Sequence, residues 1–82
     1  MIVLTLYTRE GCCLCDEALA VLERVRASAP FELRVRDIGS DDELLARYLE
    51  RIPVVVHGAQ EWFELEVGEA ELRERLARVA GA

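Results

Sequence analysis

The chain has 82 residues, 52% of them hydrophobic and 32% charged, with ten arginines and no lysine against 16 acidic residues for a net charge of -6. That length holds one core, so residues 1–82 are read as a single domain, and the composition excludes a disordered chain. An acidic balance with no basic patch excludes nucleic acid as the expected partner.

The apolar start Met1 to Leu6 is interrupted by Thr5, followed by Arg9 and preceded by no basic region. Neither a signal peptide nor a membrane span is expected there, and the protein is expected in the cytoplasm. Ile2 to Tyr7 is almost unbroken in apolar or β-favouring residues, which predicts a central strand covered on both faces. Ala18, Leu19, Leu22 and Val25 then recur at helical spacing, with Glu17, Glu23 and Arg24 left for solvent, so a helix is predicted from about Cys13 to Ala27. Pro30 ends it. Phe31, Leu33 and Val35 alternate with Glu32, Arg34 and Arg36, the pattern of a strand buried on one face.

Ser40-Asp41-Asp42-Glu43 has the form of a capping box, with Ser40 as the cap and Glu43 reaching back. A second helix is predicted behind it, burying Leu44, Leu45, Tyr48 and Leu49. Pro53 opens the run Val54-Val55-Val56, and His57 to Gln60 reads as a turn into a strand where Phe63, Leu65 and Val67 alternate with Glu64 and Glu66. Leu72, Leu76 and Val79 mark a last helix after Gly68. The right-handed crossover rule makes the first two strands parallel neighbours, the hairpin adds an antiparallel edge, and the fold class is α/β. Ligand chemistry is expected at the carboxyl ends of the parallel strands, where the cysteines stand.

All three cysteines fall within four positions, Cys12, Cys13 and Cys15. Such a cluster cannot staple distant loops, and in a reducing compartment it is catalytic or metal-binding. Residues three apart in a first helical turn share a face, so the sulfurs of Cys12 and Cys15 can come within bonding reach. Cys12, at the helix start, faces free amides and the positive end of the dipole, which favour thiolate and mark it as the nucleophile. Cys15, one turn on and nearer the buried face, suits the resolving role. Zinc ribbons use the same spacing but need a second ligand pair, and only His57 remains to offer one, so no metal site is expected. Cys13 is read as a tolerated neighbour and His57 as a turn or surface residue. Trp62, Tyr48 and Phe31 are read as aromatic packing. Arg9 is read as electrostatic support for the thiolate and Leu14 as an apolar docking contact if it projects at the motif.

The segment "LYTREGCCLCDEA", together with Asp37-Ile38 and Arg51-Ile52-Pro53-Val54 in order and spacing, resembles the glutaredoxins of the thioredoxin superfamily over nearly the whole chain. Cys-x-Leu-Cys is similar to a group of small bacterial glutaredoxin-like proteins. The resemblance implies a thioredoxin fold, a four-stranded mixed sheet flanked by three helices in the order βαβαββα. It also implies dithiol–disulfide exchange by Cys12 and Cys15, with a cis-proline loop at Ile52 and Pro53 whose backbone pairs with substrate. The expected partner is a disulfide-containing protein or a small thiol, and the chain is expected to be a monomer without a bound cofactor. Glutathione is the family's usual reductant or substrate, but the glycine pair that holds its carboxylate is replaced here by Phe63-Glu64-Leu65-Glu66-Val67-Gly68-Glu69. Carboxylates there oppose an incoming carboxylate. The alternatives are an iron–sulfur or metal carrier, and a binding module in which the cysteine pair serves as a redox switch.

Overall fold

A computed structural model describes residues 2–80, leaving Met1 of the apolar start outside. In chain order it comprises β1 (Val3–Thr8), α1 (Cys13–Ser28), β2 (Glu32–Asp37), a single 3-10 turn (Ile38–Ser40), α2 (Asp42–Tyr48), β3 (Val54–His57), β4 (Gln60–Glu64) and α3 (Glu69–Ala80). The sheet runs β2-β1-β3-β4, with β1 parallel to β2 and antiparallel to β3. This is the thioredoxin-like arrangement of four mixed strands and three helices.

Alternation along β1 sends its side chains to two different cores. Leu4 and Leu6 join Leu22, Val25, Leu72 and Leu76 beneath α1 and α3. Tyr7 points the other way, stacking on Tyr48 of α2 with ring centroids 4.5 Å apart, over a smaller cluster of Ile38 and Val54. The strand is thus covered on both faces, as its apolar run requires. Phe31, Tyr48 and Trp62 are all buried. Among the described residues no helix is long and apolar enough to cross a membrane.

Four expectations are corrected. α2 is capped by Asp41, whose carboxylate accepts from the amides of Glu43 (2.9 Å) and Leu44 (3.1 Å). Ser40 closes the preceding 3-10 turn instead, its hydroxyl donating to the Asp37 carbonyl. Of the apolar residues assigned to that helix only Tyr48 is fully buried, and Leu49 is exposed. In β2, Leu33 is half-buried and Val35 is 50% exposed, because the strand lies at the sheet edge. Lastly, β4 ends at Glu64, and Leu65 and Val67 do not continue it.

The early end of β4 goes with a bulge. Val54 pairs with Glu64 and Val55 with Phe63, but Val56 pairs with Glu61, so Trp62 is an extra residue on β4. Two against one at this point lets the adjacent Trp62 and Phe63 both enter the α1/α3 core. Glu61 and Glu64, three apart, come to share the opposite face.

Candidate active site

After β1 the chain turns through Arg9 to Cys12. Gly11 has φ +82°, a left-handed conformation that glycine adopts at no steric cost. The Cys12 amide donates to the Arg9 carbonyl at 3.2 Å, closing the turn. Cys12 is extended and caps α1, its sulfur accepting from the Cys15 amide at 3.1 Å and its carbonyl from the Asp16 amide at 3.2 Å. Sulfur here takes the place of the oxygen that usually satisfies a free first-turn donor.

Cys12 and Cys15 are joined as a disulfide, with Cα atoms 5.2 Å apart. The two sulfurs differ in access. Cys12 is half-buried, Cys15 is only 2% exposed, and the neighbouring Cys13 is a free thiol pointing to solvent. Among the described residues no group of three or more His, Cys, Asp or Glu side chains converges as a metal ion would need.

The remaining predicted site residues lie at the same end of the sheet. The Ile52-Pro53 bond is cis, and Pro53 is buried one residue beyond the Tyr7–Val54 pair, where β1 gives way to the cysteine turn. Ile52 is half-buried against the α2 cluster, its amide donating to the Tyr48 carbonyl. Leu14 is 48% exposed on α1. Arg9 is exposed and lines a shallow depression with Glu10, Asp37, Gly39 and Ser40, and its side chain makes no hydrogen bond or ion pair among the described residues.

Two residues at this end escaped the sequence reading. Leu65 has φ +70° and is 49% exposed, and its amide is shared between the carbonyls of Arg51 (3.1 Å) and Pro53 (2.9 Å). Arg51 donates to Glu64 at 2.8 Å, pairs with Glu61 and lies over the Tyr48 ring at 5.5 Å. Hydrogen bonds to Glu64 and then Glu61 push its guanidinium pKa still further above its ordinary value. No local signal marks Leu65. For Arg51 the signal was its place before Ile52-Pro53, with acids available in the facing hairpin.

Residues 3–77 match the family model described as Glutaredoxin-like domain (DUF836). Among solved structures, protein Ne2328 from Nitrosomonas europaea is 29% identical, with 90% of this chain and 89% of that one covered and a TM-score of 0.78. Target protein XcR50 from X. campestris is 31% identical over 96% of this chain and 97% of its own, with a TM-score of 0.76. NrdH-redoxin from Escherichia coli, described as a glutaredoxin-like protein, shares the fold at 21% identity, 95% coverage of each chain and a TM-score of 0.56. No curated protein matches the chain significantly. With a family model matching residues 3–77 and a 31% identical solved structure covered almost end to end, the chain belongs to the glutaredoxin-like domain family.

Proposed function

We propose that the protein is a thiol–disulfide oxidoreductase that reduces disulfides in proteins or small molecules through Cys12 and Cys15. The observation that carries this is the unequal setting of one cysteine pair: Cys12 caps a helix with an amide on its sulfur, while Cys15 is shielded one turn behind. A helix N-terminus and a donated N–H both stabilise a sulfur anion more than a neutral thiol.

In the reduced protein the Cys12 thiolate attacks one sulfur of the substrate disulfide, forming a mixed disulfide and expelling the first substrate thiolate. Cys15 gives up its proton, which the expelled thiolate can take, and attacks the Cys12 sulfur. The second substrate thiolate leaves and is protonated by solvent. One substrate disulfide becomes two thiols, and the dithiol becomes the Cys12–Cys15 disulfide, two electrons having passed. In this reading Ile52 and Pro53 present backbone to the substrate beside the cysteines, and Arg9 and Leu14 contact it.

Glutathione is not the specific substrate in this reading, since Glu64 at the end of β4, Glu66 in the connection and Glu69 at the start of α3 crowd the place of a glycine pair. The test is single-turnover reduction of a peptide disulfide. Cys12→Ser should abolish it and Cys15→Ser should accumulate a mixed disulfide visible by mass spectrometry. Unchanged turnover in the Cys12 variant would reject the assignment.

A further inference from the structure

A groove runs between the cysteine helix and the segment that follows β4. It is lined by Leu14, Ala18, Val21, Leu65 and Val67, with the exposed Glu17 and Glu66 on its rim. It encloses about 170 Å³, room for an apolar side chain and not for a helix. Leu14 is next to Cys15 in the chain, and Leu65 is tied by its amide to the Pro53 carbonyl, so the groove connects the two halves of the proposed exchange site.

Several features mark the groove as more than leftover surface. Leu14 and Leu65 are about half exposed, two of only four large apolar side chains so exposed among the described residues. Leu65 keeps a left-handed conformation that disfavours any residue with a Cβ. The rim acids also lack the arginine partner that six of the twelve glutamates have. Glu32, Glu61, Glu64, Glu69, Glu71 and Glu74 are each paired with an arginine, whereas Glu17 and Glu66 are exposed and have no ion pair among the described residues.

We propose that this groove selects the substrate: it receives an extended segment of a disulfide-bearing protein with an apolar side chain beside its cysteine and arginine or lysine just beyond. The apolar side chain covers Leu14 and Leu65, and the cations meet Glu17 and Glu66. The inference rests on the dithiol exchange proposed above and adds to it the chemical class of the substrate.

The test uses the reduced full-length protein and disulfide-linked peptide dimers in single turnover. Three peptides share a Cys-Leu centre and differ in flanks of two arginines, two glutamines or two glutamates. A fourth replaces the leucine of the glutamine peptide by serine. The arginine peptide should react about tenfold faster than the glutamate peptide at low ionic strength, the gap closing in molar salt. The leucine peptide should exceed its serine counterpart by about fivefold. Glu17→Gln with Glu66→Gln should collapse the arginine-to-glutamate ratio. Glu23→Gln with Glu43→Gln, which removes as much charge elsewhere, should preserve it.

Equal rates for the arginine and glutamate peptides, with the glutamine peptide still reduced, would overturn the groove assignment and leave the exchange reading intact. Equal loss of the ratio in both double variants would overturn it too, by tracing the preference to overall charge. No reduction of the glutamine peptide would reject the exchange reading, and the groove assignment with it.

Discussion

Replacing Arg51 by glutamine tests how the proline loop is fastened to the hairpin. The guanidinium pairs with Glu61 and Glu64 and lies over Tyr48, and all of these contacts would go. The arginine side chain is 34% exposed and the two glutamates 42% and 54%, so water screens the ion pairs. Each is then worth about 0.2–1 kcal/mol, and the cation–π contact about 0.5–1 kcal/mol. The expected loss is about 2 kcal/mol, which for a domain of this size lowers the melting temperature by about 8–16 °C. Circular dichroism melts of the oxidised protein at low and high salt measure it. Salt should narrow the gap between parent and variant, because only the parent has the ion pairs to lose. Arg51→Lys should recover part of the loss, since it restores a charge but not the two-pronged geometry. A melting temperature within about 2 °C of the parent would refute the reasoning, because the contacts would then be no better than those with water.

Three further outcomes follow from single contacts. Asp41→Ala should cost about 1 kcal/mol in urea denaturation while Ser40→Ala costs much less, since Asp41 holds the first amides of α2. Gly11→Ala should destabilise by about 1 kcal/mol although space is open around the added methyl, because φ +82° disfavours any Cβ. The third concerns acid. Hydrogen bonding to Arg24 holds the Glu69 carboxyl below its ordinary pKa against an opposing desolvation, with a lesser contribution from Arg73. The folded protein therefore releases this proton more readily than the unfolded chain does. The stabilisation is fully present above the unfolded value and is lost as pH falls through the folded one. Urea midpoints measured from about pH 5 down to about pH 3 should fall less steeply in Glu69→Gln than in the parent.

What could be read from the sequence was mostly local. The positions of Ala18, Leu22 and Val25 identify α1 because they repeat with the helix, and Cys12 and Cys15 share a face because they are a turn apart. Chain order and the handedness of crossovers then place β2 beside β1. What could not be read depended on contacts distant in sequence. Ser40 and Asp41 are both good caps by type, and the choice between them was made by the 3-10 turn, which uses Ser40 to bind the Asp37 carbonyl. Val35 alternates like a buried residue, yet its exposure depends on β2 lying at an edge.

The fate of β4 shows how one unforeseen residue shapes the site. Unbroken alternation would place Leu65 on the same face as Phe63, towards the core under α1 and α3, and would send Glu61 and Glu64 to opposite faces. The extra residue at Trp62 brings both glutamates to the face where Arg51 lies. The strand then stops at Glu64, and Leu65 turns to φ +70° with its amide held by the carbonyls of Arg51 and Pro53. The bulge, the arginine clamp and the proline loop are therefore linked. Together they bring Leu65 out beside Leu14, and a regular strand would have left that groove without its second wall.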